Sequence, residues 1–165
     1  MALRVPAWAS ALALAVVVTG CNPAASAHAL GATAPLAHGH QPCPDADLSA
    51  VVAQVNALRH RSGLHLLGAD AYLAEVARGR SAAMAAAGRL SHTGWEPALR
   101  KAGLTDDTLG ENVAYNYPTP DAVMHGWLTS PGHRANILRP TFKRIGVGCV
   151  IDARGRRWWT QDFAG

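Results

Sequence analysis

Cysteine is scarce in this chain of 165 residues, which has only three, Cys21, Cys43 and Cys149. None of them stands in a C-x-x-C pair, the spacing typical of zinc ribbons and thioredoxin-like redox sites, so neither chemistry is indicated. Aromatic residues are also few, at 6% of the chain. Without an aromatic stacking platform or a recognition helix beside the basic residues, no nucleic-acid partner is expected.

Acidic residues are fewer than basic ones, 11 against 15, which gives a net charge of +4 and a pI near 9.3. Several basic residues fall near the C-terminus, at Arg139, Lys143, Arg144, Arg154, Arg156 and Arg157. Such a cluster can favour an anionic cell-wall polymer or lipid headgroup. We favour the simpler interpretation of a solvated basic rim.

An apolar run near the N-terminus is too short to cross a membrane as a helix. It extends from Trp8 to Val18 and has Met1 and Arg4 ahead of it, which is typical of a secretory signal. It ends in VTGC, residues 18–21, which resembles the lipobox of bacterial lipoproteins, where the leader is cut before an acylated cysteine. We therefore predict a signal peptide over residues 1–20 and lipidation of Cys21, which anchors the protein in the cell membrane.

A second cleavage signal competes with the lipobox. Ala25-Ser26-Ala27 fits the A-x-A rule for ordinary signal cleavage, which would remove Cys21 and release a secreted protein. We favour the lipoprotein, because a cysteine directly after the apolar run is otherwise unexplained. Both alternatives place the protein outside the cytoplasm.

Residues 21–46 are rich in Ala, Pro, Gly and His and show no apolar periodicity, which predicts a flexible tether ahead of a domain over residues 47–165. In an oxidising compartment we expect Cys43 and Cys149 to form a disulfide. Such a bridge closes a long loop and adds about 4 kcal/mol of stability by chain entropy. Two buried free thiols are the alternative, because the sequence does not show whether the two Cα atoms approach each other.

Apolar residues at helical spacing predict two long helices in the first half of the domain. The first runs behind Asp45 or Asp47 as its N-cap and stops at Gly63. The second runs behind Asp70 and is closed by Gly88.

Three shorter helices are predicted after these two. One spans Pro97 to Ala102, and one begins at Thr119 and carries Met124 and Trp127 on its apolar side, where we expect them in the core. In the stretch SPGHRANIL, residues 130–138, Ser130 is the predicted N-cap of a short helix that holds a histidine in its first turn.

The C-terminal third changes from helical to strand periodicity. Residues 145–151 alternate, and after a turn at 153–155 the run RRWWTQDFAG predicts the partner strand of a hairpin. Residues 110–115 add a further strand. Helices covering a small antiparallel sheet define an α+β domain.

Four polar residues stand at predicted element boundaries: His92, Glu111, Asn112 and His133. Functional side chains concentrate where rigid elements end, and two imidazoles with one carboxylate suit a divalent metal such as zinc. The same carboxylate between two histidines also serves as a hydrogen-bonded strut that orders loops without any metal.

Six motifs around these residues resemble one family. In order they are VNALRHRSGL, LSHTGW, LGENVAYN, GWLTSPGHRANIL, RIGVGCV and RRWWTQDFAG. They resemble the bacterial, SCP-like branch of the CAP superfamily, which includes cysteine-rich secretory proteins and plant pathogenesis-related proteins. The resemblance covers residues 48–165.

This resemblance implies a three-layer α-β-α sandwich whose central cleft gathers two histidines and two acidic residues and sometimes holds zinc. His92, Glu111 and His133 match three of those positions. The fourth falls three residues after Trp127, at Ser130, so one carboxylate is missing and zinc affinity should be lower. We favour a metal-free polar network, with a zinc site made by the three matching residues as the alternative.

The resemblance also implies a function. We expect a monomeric binding module for an envelope or extracellular ligand, a lipid, a glycan or a protein, with Asn112 and Ser130 in the cleft. The alternative is a metal-dependent hydrolase of peptide, phosphodiester or cell-wall bonds. Its catalytic candidates are His92, Glu111 and His133.

Four aromatic residues are candidates to line the cleft: Tyr115, Tyr117, Trp95 and Trp127. For Trp127 the stronger expectation is packing in the core.

Overall fold

A computed structural model describes residues 35–165 of the chain. The predicted signal peptide, the predicted lipidation site Cys21 and the greater part of the tether lie outside the described residues. Within the described part the elements in chain order are β1 Gln41–Pro42, α1 Asp45–Arg61, β2 Gly68–Ala69, α2 Ala71–Ala87, α3 Trp95–Lys101, β3 Leu109–Tyr115, α4 Pro120–Thr129, α5 Pro131–Ile137, β4 Arg144–Ile151 and β5 Arg157–Ala164.

The strands form one sheet in the order β1-β4-β5-β3, with β2 also paired to β4. All pairs are antiparallel except the two-residue β2–β4 pair, which is parallel. In β5, Asp162 lies directly opposite Glu111 of β3 on one side and Gly146 of β4 on the other. Directly opposite residues share a face of the sheet, so these three point the same way.

Helix α2 covers that face of the sheet, and two glycines of β4 let it pack closely. A Cβ atom on Gly146 would lie 2.2 Å from the backbone nitrogen of Ala74, and one on Gly148 would lie 2.1 Å from that of Arg78. Helices α1, α4 and α5 cover the opposite face. The α+β class and the three-layer α-β-α sandwich are therefore confirmed.

The main core lies between the sheet and the α1/α4 layer, and it contains the disulfide. Trp127 and Met124 are buried there, as predicted. Cys43 and Cys149 are joined, with their Cα atoms 5.3 Å apart, so the expected pairing is confirmed.

The folded domain begins before residue 47, where we predicted it to start. Gln41 and Pro42 pair with β4, and Cys43 is fixed by its disulfide and by a backbone hydrogen bond to Cys149. The stretch just ahead of α1 is thus part of the sheet, because a short strand and a covalent bond hold it there.

Several predicted helix ends are confirmed. Asp70 accepts hydrogen bonds from the backbone nitrogens of the first turn of α2, and Gly88 ends that helix in a left-handed conformation. Thr119 caps α4 with its side chain. Helix α3 begins at Trp95, two residues before the predicted Pro97.

The predicted cap of α1 is wrong, whereas that of α5 is confirmed in position. The N-cap of α1 is Pro44, and the side chain of Asp47, inside the first turn, pairs with Arg157 at 2.6 Å. Both predicted cap residues, Asp45 and Asp47, therefore lie in the first turn of the helix. Ser130 is the N-cap of α5, but its hydroxyl makes no capping hydrogen bond.

Three of the six basic residues near the C-terminus, Arg144, Arg156 and Arg157, form ion pairs with acidic side chains. Arg144 pairs with Asp70 and Asp106, while Arg156 pairs with Asp152. In the described part of the chain no helix is long and apolar enough to cross a membrane.

The close contact between α2 and β4 makes Gly148 intolerant of a side chain. We expect Gly148→Ala to lower the free energy of unfolding by about 3 kcal/mol, because its methyl group meets the backbone of α2. Gly79→Ala is the matched control within α2, since a Cβ atom there has no neighbour within 4 Å and should stabilise the helix by about 0.5–1 kcal/mol. Urea unfolding of both variants measures the difference, and equal effects would contradict the packing.

Candidate functional site

Glu111 is the centre of the site, and its side chain is fully buried at the sheet–α2 interface. Arg80 of α2 donates from Nε to Oε2 at 2.7 Å and from Nη2 to Oε1 at 3.3 Å. His92 contacts the same carboxylate, with Nδ1 3.0 Å from Oε1. Both oxygens of Glu111 are therefore engaged by side chains from two other segments.

Arg80 also holds the loop that carries His92. Its guanidinium donates to the carbonyl oxygens of Ser91, at 3.0 Å, and Thr93, at 3.2 Å, the residues on either side of His92. We did not identify Arg80 from the sequence. The available signal was its position on the buried stripe of α2, three residues after Ala77 and four before Met84.

The two predicted histidines lie near each other. Their ring centroids are 6.2 Å apart, with His92 about half exposed at 52% and His133 partly buried at the start of α5. Burial, and next the charge of His92, lower the pKa of His133. At neutral pH His133 is a neutral imidazole, able both to donate and to accept a hydrogen bond.

Asn112 does not line the cleft with Glu111, because adjacent strand residues point to opposite faces. It is fully buried and donates to the carbonyl oxygen of His133 at 3.1 Å, and it accepts from Asn136 at 2.9 Å. The side chain of Asn136 also reaches the carbonyl oxygen of Glu111 at 3.2 Å. Asn112 therefore attaches α5, and with it His133, to β3.

The residues that form this network do not fit the zinc site expected from His92, Glu111 and His133. Among residues 35–165, no group of three or more His, Cys, Asp or Glu side chains is arranged to hold a metal ion. A divalent cation on Glu111 would have to compete with His92 and lie beside the guanidinium of Arg80. Both changes are costly in a buried position.

Asp162 is a second buried acid in the same interface, which sequence analysis overlooked. It is fully buried, and within the described structure neither of its carboxyl oxygens has a hydrogen-bond partner. Burial, and next the charge of Glu111, raise its pKa well above the ordinary value, while Arg80 opposes the shift. The guanidinium of Arg80 is bonded to Glu111 and not to Asp162, so burial favours the protonated form of Asp162.

A cavity of about 330 Å³ opens beside His133 along the outer edge of β3. We call it the His133 cavity; its lining includes Leu90, Tyr115, Tyr117, Trp127, Ser130 and His133. Trp127 is in the core, and its Nε1 donates to the carbonyl oxygen of Val113, so it forms the cavity floor. Trp95 packs instead in a small cluster beside α2 and is not part of the lining.

Two larger grooves, of about 530 and 650 Å³, lie on either side of the segment from Ala69 to Ala71. Their linings contain none of the predicted site residues. Of these three volumes, the His133 cavity is the one whose lining contains predicted site residues.

Comparison with known families agrees with the sandwich fold. The chain matches the model of the cysteine-rich secretory protein family, CAP, over residues 52–163, more than half of its length. The protein belongs to the CAP family.

Two relatives from Bacillus subtilis strain 168 match at the sequence level. The chain is 38% identical over 120 residues to "Uncharacterized protein YkwD", covering 70% of this chain and 46% of that protein. It is 36% identical over 113 residues to "Uncharacterized membrane protein YlbC", covering 66% of this chain and 31% of that protein. The chain therefore spans less than half the length of these curated relatives.

Solved structures show the same fold. An extracellular protein containing an SCP domain from Bacillus anthracis superposes with a TM-score of 0.66 at 30% identity, covering 73% of this chain and 40% of that one. An outer surface protein from Borrelia burgdorferi superposes with a TM-score of 0.70 at 18% identity, covering 75% of this chain and 96% of that one. At that identity the second match supports the fold alone.

Asp162 should give the protein a stability that falls as pH rises. The pKa of Asp162 is higher in the folded state than in the unfolded chain. At pH values between these two pKa values the folded state binds more protons than the unfolded chain, so the free energy of unfolding falls as the pH rises through this range. We expect Asp162→Asn to match the wild type near about pH 4 and to exceed its free energy of unfolding near about pH 8.

Asp152→Asn is the control, because the pKa of Asp152 is shifted in the opposite direction. Burial alone would raise the pKa of Asp152, but hydrogen bonds from Trp158 and Arg156 outweigh it and lower the pKa. Its stabilising effect is therefore present at neutral pH and lost in acid, so this variant should be less stable than the wild type at about pH 8. Urea unfolding across the pH range measures both, and parallel curves for Asp162→Asn and wild type would rule out the assignment.

Proposed function

We propose that this protein is an extracytoplasmic CAP-domain binding module whose ligand occupies the His133 cavity. The observation that carries the proposal is the cavity itself. It combines an apolar and aromatic lining with two polar groups, His133 and Ser130, in the manner of small-molecule sites. The hydroxyl of Ser130 is not used for capping, so it can bond to a ligand.

The chemistry of the lining favours an amphipathic ligand. Tyr115 and Tyr117 offer aromatic faces, and Leu90 is an exposed apolar residue at 43%. Because the lowered pKa keeps His133 neutral, the polar part of the ligand does not need a charge. A sugar ring of an envelope glycan or the glycerol region of a lipid fits these requirements, whereas a protein partner would insert only one side chain.

Support for an extracytoplasmic location comes from two sources. The N-terminal sequence has the pattern of a secretory signal with a lipobox. Among the structural neighbours, one is described as an extracellular protein and another as an outer surface protein. We therefore propose a lipid anchor at Cys21, with simple secretion as the alternative.

The hydrolase alternative has less support in the described residues. Both oxygens of Glu111 are engaged by Arg80 and His92, so a metal ion or a substrate proton on this carboxylate would compete with these existing partners. Ser130 lies in the cavity lining together with His133. A serine nucleophile would need an acid that orients this histidine, but Glu111 contacts His92 instead. Binding without turnover is the function that the geometry favours.

The proposal predicts that ligand binding depends on the cavity lining. Isothermal titration of the mature protein with envelope lipid vesicles in one arm, and with soluble cell-wall oligosaccharides in the other, identifies the source of the ligand. We expect one arm to bind, and His133→Ala and Tyr115→Ala to weaken it by about tenfold or more, which is about 1.4 kcal/mol. Leu66→Ala is the control, since Leu66 is exposed at 54% and absent from the lining. Binding that neither cavity variant weakens would contradict the proposal.

The lipid anchor predicts a different location for a Cys21 variant. In bacterial cells expressing the full chain, the wild type should fractionate with membranes and carry acyl mass at Cys21, whereas Cys21→Ala should not. Ala27→Leu, which removes a small residue that the competing A-x-A signal requires, should leave the distribution unchanged. A wild-type protein released with its N-terminus after Ala27 would establish simple secretion instead.

A further inference from the structure

Arg80 is the best-connected side chain of the cleft. Its guanidinium donates to both oxygens of Glu111 and to the carbonyl oxygens of Ser91 and Thr93. The side chain of Arg80 is 13% exposed and that of Glu111 is 0% exposed. We infer that Arg80 is a built-in cation of this cleft, which neutralises Glu111, orients His92 and prevents a divalent metal ion from binding between them.

The geometry explains why a metal ion and Arg80 exclude each other. An ionised carboxylate only accepts hydrogen bonds, so His92 must donate to Glu111 from Nδ1 and keeps only Nε2 as a ligand nitrogen. Metal binding to Glu111 would therefore compete with an imidazole and a guanidinium for the same carboxylate. The displaced guanidinium would remain in a buried position without its counter-ion, and uncompensated buried charges are strongly unfavourable.

Asp162, the acid on the neighbouring strand β5, makes the positive charge of Arg80 more important at this interface. Asp162 lies directly opposite Glu111 and has no hydrogen-bond partner among the described residues, so this interface holds two acids and Arg80 is bonded to only one of them. Without Arg80, the buried carboxylate of Glu111 would keep only His92 as a side-chain partner and would have no cation beside it. A carboxylate and an imidazole are groups that divalent ions such as zinc accept.

Arg80 is also a positioning residue, because its two bonds to the loop carbonyls require the planar fork of a guanidinium. Lysine would retain the charge but not these bonds. Arg80→Lys therefore separates the two roles: the charge should still exclude a metal ion, while the His92 loop should lose its fixed orientation.

The test measures zinc binding by isothermal titration of the mature, chelator-treated protein, with the metal alone as the probe. We expect the wild type to have no zinc site that depends on Glu111, so Glu111→Gln should leave its zinc binding unchanged. We expect Arg80→Met to bind one zinc ion at least about tenfold more tightly than the wild type, and the double variant Arg80→Met/Glu111→Gln to lose that site. Arg80→Lys should resemble the wild type in this assay.

A second readout follows the orientation of His92. In histidine ring NMR spectra, Arg80→Lys should shift the signals of His92 while leaving those of His65 in place. His65 is the control because its ring contacts the carbonyl oxygen of Phe142, which takes no part in the Arg80 network. An unchanged His92 signal would show that Arg80 does not position the loop.

Three outcomes would overturn the inference of a built-in cation. One is a stoichiometric zinc site in the wild type that Glu111→Gln removes. Another is a folded Arg80→Met that gains no zinc affinity, and the third is an Arg80→Lys that gains as much as Arg80→Met. Should Arg80→Met fail to fold, the comparison of wild type with Glu111→Gln and Arg80→Lys decides the question. None of these results bears on ligand binding in the His133 cavity, so the two proposals fail separately.

Discussion

The buried ion pair between Arg80 and Glu111 is the interaction on which the rest of the site depends. It joins α2 to the edge strand β3, and through its additional bonds it fixes the loop that carries His92. Breaking such a pair by removing one partner costs about 3–5 kcal/mol, because the remaining charge stays buried. The same bonds that stabilise the helix–sheet interface thus determine the geometry of the cleft.

The alternation of β3 lets one strand support both histidines from opposite sides of the sheet. Glu111 points toward α2 and contacts His92, while its neighbour Asn112 points the other way and holds the helix of His133. Because β3 is an edge strand, the two histidines can approach each other around it. The His133 cavity opens along this same edge, where the carbonyl oxygen of Val113 is already bonded to Trp127. The cavity is therefore built onto a rigid support rather than onto a loop.

Much of the fold could be predicted from the sequence, because it depends on local patterns. The helix ends at Asp70 and Gly88, the cap at Thr119 and the C-terminal hairpin all follow from residues within a few positions of each other. The cap of α1 was predicted wrongly because the helix begins at Asp45 with Pro44 as its N-cap, and Asp47 pairs with the distant Arg157. The site could likewise be predicted only in part. The motifs identified His92, Glu111 and His133, but not Arg80, which forms the ion pair with Glu111.

The sequence by itself determined the elements, their order, the family and the residues that gather at the cleft, because periodicity and short motifs are encoded along the chain. Only the tertiary structure decided which charges meet. Arg80 and Glu111 are 31 positions apart, and Asp162 reaches the same interface from a third segment. Whether a carboxylate there is a metal ligand, an ion-pair partner or a neutral acid depends on burial and on the nearest cation. Both are properties of the packed molecule, and no local pattern in the chain contains them.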